Sequence, residues 1–378
     1  MTFRRAFDIS VGTVAGNLHI LLLLAFVVLA IFFVGQRFRL FGHDITLAST
    51  SLANLEDGVP RDVSIYTLLP KDGIRSIDNP EFVSSAGAID DMSDFEFVIG
   101  IEINGDTRAY PINVLSRHEV VNDVVGGTPI AITYCPLCFT AIVYDRRVDG
   151  ELLEFGVSGK LIMNDLVMYD RQSDSLWQQI LGEGITGRYK GTRLTPVAAT
   201  QTTWAQWLEA HPDSLVLDKR GSYGGDSYSG YYSSGSSGVL GGFVSNDLLP
   251  AKAFVLGLIL DDEPKAYPFQ ELALVPVVHD TIGGSDIIIV YDERSGTAVA
   301  FDAELNGDSV QFDFERFDEG DLILRDKSTG SLWSGLSGEA IEGPLAGAQL
   351  RQLPAFYSFW FAWSDFYVNT EVYEADNA

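Results

Sequence analysis

From Phe97 onward the chain repeats itself, and this repeat limits the fold more than any other feature. Phe97-Val98-Ile99-Gly100-Ile101 answers Phe254-Val255-Leu256-Gly257-Leu258, and Ala109-Tyr110-Pro111 answers Ala266-Tyr267-Pro268 at the same offset. Val120-Val121-Asn122-Asp123 answers Val277-Val278-His279-Asp280, and Gly126-Gly127 answers Gly283-Gly284. After a one-residue shift, Ser175-Leu176-Trp177 answers Ser331-Leu332-Trp333, and Trp204 with Trp207 answer Trp360 with Trp363. The period is far too long for a solenoid, so the reading is a tandem duplication of one domain. What both copies keep reads as fold. Paired glycines suit hairpin turns, a Tyr-Pro pair suits a strand end, and Ser-Leu-Trp reads as a core strand with a large buried anchor.

What only the first copy has is the better candidate for function. The only two cysteines of the chain, Cys135 and Cys138, stand as C-x-x-C in Thr133-Tyr134-Cys135-Pro136-Leu137-Cys138-Phe139. They align with Asp292 and Ser295, and His118 aligns with Val275, so three soft or basic ligands are missing together from the second copy. The runs Ile130–Thr133 and Ala141–Tyr144 flank a Pro-containing turn, which predicts a hairpin with the thiols at its tip. No helix follows, unlike the redox motif whose helix dipole favours the thiolate. A turn of this kind between strands suits a metal knuckle, with the remaining ligands coming from elsewhere. Phe155-Gly156-Val157-Ser158-Gly159-Lys160 stands where the second copy has Phe312-Asp313-Phe314-Glu315-Arg316-Phe317. The small residues there, Ser158 and Gly159 above all, permit a close approach, and a ligand is one candidate for what approaches. Met163 and Met168 follow, and a thioether would suit Cu(I).

The chain of 378 residues carries a formal net charge of -27, with 25 Lys+Arg against 52 Asp+Glu. Such a surface repels phosphate backbones and argues against nucleic acid as a partner. Residues 1–15 form a short tail carrying Arg4 and Arg5, and 16–36 are apolar enough and long enough for one transmembrane helix. The expected anchor is uncleaved, with the N-terminus cytoplasmic by a narrow margin of Lys and Arg and the rest of the chain outside the cytoplasm. Residues 37–96, rich in turn chemistry, are expected to pack as a connecting segment on the first copy, 97–219. Residues 220–250, dense in Gly, Ser and Tyr, read as a linker, or as a lid given their aromatic rings. The second copy is 251–378. Helices are expected at Thr202–Ala210 and Ser358–Phe366, and the whole as α+β, predominantly β, with two tandem copies of a β-rich domain after an N-terminal transmembrane helix.

Tyr134-Cys135-Pro136-Leu137-Cys138, Val157-Ser158-Gly159-Lys160-Leu161, Leu166-Val167-Met168-Tyr169-Asp170-Arg171, Ser175-Leu176-Trp177-Gln178-Gln179 and His118-Glu119-Val120-Val121-Asn122-Asp123 resemble a prokaryotic family known as domain of unknown function 3179. The resemblance covers about 60 to 375 and departs at Phe139, where a glycine is expected. It implies no activity, so three readings follow from the residues. Cys135, Cys138 and His118 bind copper or zinc. Alternatively, the same cysteines exchange disulfides with His118 as proton acceptor. A third reading is a non-catalytic binding or scaffold protein with a structural C-x-x-C bridge. That bridge is disfavoured because so small a loop gains little from closure.

Overall fold

Short β-branched and aromatic runs, many of them closed by glycine, asparagine or aspartate in left-handed backbone, leave this chain little choice but antiparallel hairpins. A computed structural model describes residues 47–52, 61–221, 223–243, 246–318 and 320–375, with side-chain placement from Val63 onward. The expected anchor at 16–36 lies outside the described residues. Among the described residues no helix is long and apolar enough to cross a membrane.

The first half opens with a hairpin of β1 (Arg61–Thr67) and Leu47–Leu52. Strands β2 (Phe97–Ile103) and β3 (Asp106–Pro111) follow, and helix α1 (Ile112–His118) starts directly after Pro111. Then come β4 (Val120–Val125), β5 (Thr128–Cys135) and β6 (Thr140–Asp145), a meander. Finally β7 (Phe155–Ile162), β8 (Asp165–Asp170) and β9 (Leu176–Gln178) pair in order, with β1 on the free edge of β7. Gly126 and Gly127 turn the chain between β4 and β5 at φ of 53° and 82°, the signature of a two-residue hairpin turn.

Strand pairing after Phe254 follows the same order. Phe254–Leu260 pairs with Glu263–Pro268, Val277–Ile282 with Ser285–Asp292 and then Thr297–Asp302, and Phe312–Asp318 with Asp321–Asp326 and Leu332–Ser334. Even the register shift in β7, between Val157 and Lys160, recurs between Phe314 and Arg316. Trp177 and Trp333 are both fully buried, as their place in a core strand requires. The helix α2 (Trp204–Ala210) is capped by Thr203, whose hydroxyl accepts from the Gln206 amide, and ends at His211. Another helix, Trp360–Phe366, is buried along its whole length.

One apolar cluster crosses from the first half to the second, including Cys135, Cys138 and Phe139 together with Val255, Phe359 and Trp363. Polar contacts cross too. The Phe359 amide donates to the Cys138 carbonyl at 2.9 Å, and Tyr357 Oη donates to the Gln201 carbonyl at 2.8 Å. The C-x-x-C turn is therefore held from both halves of the chain.

Candidate functional site

The hairpin β5–β6 carries Cys135 on its last paired residue and Cys138 in its turn, with Cys135 opposite Thr140. Gln179 fastens this hairpin from behind. Its Nε2 donates to Thr133 Oγ1 at 3.0 Å, and its Oε1 accepts from Thr140 Oγ1 at 3.0 Å. Phe139 closes the turn at φ 57°, left-handed backbone that an aromatic residue rarely adopts. Its ring repays the strain in contacts with Tyr232 and Phe254, each at 4.9 Å between centroids, and with Phe359 at 5.6 Å. Where the second half makes the same turn, Gly296 stands at φ 67°.

A second hairpin, β7–β8, meets the first. Its turn is Met163-Asn164, both left-handed, at φ of 48° and 67°. The Asn164 carbonyl accepts from both thiols, at 3.6 Å from Cys135 Sγ and 3.5 Å from Cys138 Sγ. The next residue, Asp165, is fully buried. Ligand atoms of Cys135, Cys138 and Asp165 all lie within 4.8 Å of one another. Both cysteines are free thiols. Asp165 Oδ2 accepts from the Ile180 amide at 3.1 Å and from Gln178 Nε2. Its Oδ1 is buried, and the Leu166 amide and both thiols also bear on the carboxyl.

The electrostatics here are one-sided. Burial pushes both thiols up, Cys138 well above its ordinary range. Burial lifts the Asp165 carboxyl to about 7, against the pull of the Ile180 and Leu166 amides and of the two thiols. Glu119, the left-handed residue that ends α1, is lifted to about 8, by burial first and the Asp165 charge second. Among the described residues no Lys, Arg or His forms an ion pair with Asp165. Two thiols and a carboxylate buried together, with no counter-charge paired to them among the described residues, suit one metal ion.

His118 is placed elsewhere. Its Nδ1 lies 2.6 Å from the Arg75 carbonyl and its Nε2 2.7 Å from Tyr223 Oη. A carbonyl only accepts, so Nδ1 carries the proton and Nε2 accepts from the tyrosine. Both ring nitrogens are thus spoken for, and the structure brings Asp165, not His118, to the thiols. Ser158 and Gly159 do mark a close approach, but the approaching group is the chain itself. A Cβ on Gly159 would meet the Leu69 carbonyl oxygen at 2.2 Å, and the Gly159 carbonyl accepts from the Leu68 and Leu69 amides at 2.9 and 3.0 Å. Ser158 Oγ donates to the Val167 carbonyl inside the sheet. Met168 lies in β8 opposite Trp177, fully buried in the core.

The Gly/Ser/Tyr-rich segment links the halves and also covers the thiols. Helix α3 (Ser229–Tyr232) sets Tyr231 Oη on the Leu137 carbonyl at 2.7 Å and Tyr232 Oη against Tyr134 Oη at 2.9 Å. Further along, the Asn164 side chain accepts from the Val239 and Leu240 amides at 2.9 and 2.7 Å and donates to the Gly241 carbonyl at 2.7 Å. The turn that touches both thiols with its backbone therefore holds the cover with its side chain.

In the second half an ion pair occupies the matching place. Asp292 stands where Cys135 does, at the end of the corresponding strand, and is fully buried. Asp321 opens the strand that answers β8 and accepts from the Leu336 amide, as Asp165 does from Ile180. At the position of Leu137 is Arg294, whose guanidinium pairs with Asp292 at 2.7 Å and donates to the Asp321 carbonyl at 3.2 Å.

The fold and site define a predominantly β protein with a buried Cys-Cys-Asp group under a tyrosine-rich cover. The chain belongs to the family described as protein of unknown function (DUF3179), whose model matches residues 71–370. No curated protein and no solved structure matches it.

Proposed function

We propose that this chain is a metal-binding protein in which Cys135, Cys138 and Asp165 hold one thiophilic ion. The observation that carries this reading is the missing counter-charge. The second half pairs its buried Asp292 with Arg294, whereas the first has Cys135 and Leu137 at those positions and a buried Asp165 that pairs with no cation among the described residues. A bound cation would supply what Arg294 supplies in the other half. The carboxylate beside two sulfurs favours zinc over copper(I), whose preference is for an all-soft set. Three protein ligands leave a fourth position open, as in zinc sites that do chemistry. Glu119 is the nearby group able to take up or give a proton there.

Thiol–disulfide exchange has less support. Burial raises both thiols, so neither offers the ready thiolate that exchange needs. We further propose that the two halves are copies of one domain, of which the first kept the site, supported by the matching strand order. The membrane anchor at 16–36 and an extracytoplasmic soluble part remain part of the proposal, supported by the apolar run and its flanking arginines.

The test is zinc titration of the full chain after chelator treatment, with thiols counted by alkylation under denaturing conditions and without. Zinc should bind with release of protons and protect both cysteines from alkylation. Saturating zinc that leaves the alkylation rate of both thiols unchanged would refute the site.

A further inference from the structure

The outer edge of the strand Phe312–Asp318 is bare where its counterpart in the first half is covered. In the first half β1 pairs with β7, Thr67 opposite Lys160 and Tyr66 opposite Leu161. The chain continues along that edge, giving the Leu68 and Leu69 amides to the Gly159 carbonyl and the Asp72 amide to the Val157 carbonyl, at 2.9 to 3.0 Å. Val63 and Ile65 of β1 join Val157 in the core, and Val157 is left 1% exposed. Among the described residues no strand pairs with the outer edge of Phe312–Asp318, which ends its four-stranded sheet. Phe314 stands opposite Leu324 and Phe317 opposite Leu322, so both rings share the face of two buried leucines. Yet Phe314 is 39% exposed and Phe317 47%, with 4.9 Å between their ring centroids and the Arg294 guanidinium 4.1 Å from the Phe317 ring. The sequence repeat that sets Phe97 against Phe254 sets Arg61–Thr67 against 218–224. That stretch leads instead into the cover over the thiols, where Tyr223 meets His118. The segment that matches β1 in the second half is thus spent on the first.

We propose that the outer edge of Phe312–Asp318 is a docking site for an extended segment of a partner protein, added as one more antiparallel strand, apolar at alternate positions and carrying Lys or Arg between them. The first half shows what such a strand does: its alternate apolar residues close the core, as Val63 and Ile65 do, and here they cover Phe314 and Phe317. The charges choose among occupants. The edge strand carries Asp313, Glu315 and Asp318 against Arg316. A second copy of the same edge would set like charges opposite each other, which disfavours self-pairing. A strand with Lys or Arg meets this surface favourably. The proposal stands whether or not metal binds at Cys135.

The experiment is titration of the full chain with a fluorescently labelled peptide of residues 61–67 carrying Asp62→Lys and Ser64→Lys, followed by anisotropy and by hydrogen exchange. The peptide should bind at about 1 mM or tighter. It should slow exchange within Phe312–Asp318. Phe314→Ser with Phe317→Ser, both exposed so that folding is not at stake, should weaken it by about tenfold or more. The same seven residues reordered to make the apolar ones contiguous should also bind at least about tenfold more weakly. No binding of the lysine peptide, equal binding of the reordered one, or affinity unmoved by the two serines would overturn the proposal. So would exchange along Phe312–Asp318 that is already as slow as along β7 before peptide is added, whether a second copy or another segment of this chain lies there.

Discussion

Asp165 takes the Ile180 amide on one oxygen and brings a carboxylate oxygen within 4.8 Å of both thiols, and this placement sets its chemistry. Its carboxyl and that of Glu119 sit at about 7 and about 8 in the folded protein, above their unfolded values near ~4. The folded state therefore binds these protons more tightly. Their contribution to stability is complete below pH ~4 and is lost as pH rises through 7 and 8. Metal-free protein should lose thermal stability across that window, Asp165→Asn should flatten the loss, and the gain in stability from added zinc should grow with pH. A metal-free stability that rises from pH ~5 to ~8 would contradict this assignment. Phe139 makes a separate prediction. Both Phe139→Ala and Phe139→Gly lose the ring and should cost about 3 to 5 kcal/mol in denaturant unfolding. At φ 57°, however, glycine relieves about 1 kcal/mol of backbone strain, so Phe139→Gly should be the more stable of the two, reversing the usual order.

The hairpins were legible from residue order, and their meeting was not. Alternating β-branched runs around Cys135-Pro136-Leu137-Cys138 and the Gly126-Gly127 pair are local signals, and the strands formed where those signals lie. Helices Trp204–Ala210 and Trp360–Phe366 fell within the expected spans, because each tryptophan pair is spaced to share one helical face. The third residue at the thiols escaped for an instructive reason. Asp165 recurs as Asp321, so a comparison of the halves assigns it to the fold, and in the second half Arg294 reaches the Asp321 backbone carbonyl while pairing with Asp292. The difference that mattered was Leu137 against Arg294 and Gln178-Gln179 against Ser334-Gly335, a change of charge and of buried amides. His118, which aligns with Val275 in the second half, is instead bonded to Tyr223 in the covering segment. That cover gives the prediction at this scale. Asn164→Gly, which restores the Gly320 of the second half, should keep the hairpin yet free residues 238–241. With three bonds of about 1 kcal/mol each removed, hydrogen exchange at Val239 and Leu240 should accelerate by about tenfold or more. Unchanged exchange would show that Asn164 does not hold the cover.

Across the molecule, two halves with one strand order present the same pocket with opposite solutions to buried charge. In one, an arginine is built in; in the other, the same positions hold Cys135 and Leu137 beside a buried Asp165, which under the proposed function receives an ion. This contrast predicts a gain of function. Asp292→Cys, Arg294→Leu and Ser295→Cys together, beside the native Asp321, should create a second zinc site in the second half. Equilibrium dialysis should then find twice the bound zinc, and an unchanged ratio would show that more than these positions separates the halves. The acidic surface, net -27, keeps such cations at raised local concentration. The most direct measurement is elemental analysis of the full chain, purified without chelator, beside Cys135→Ser, Asp165→Ala and His118→Ala. A single zinc per chain, lost in the first two variants and kept in His118→Ala, is the predicted result. Metal kept in Asp165→Ala, or absent from the unaltered protein after zinc is supplied, would contradict the Cys-Cys-Asp site.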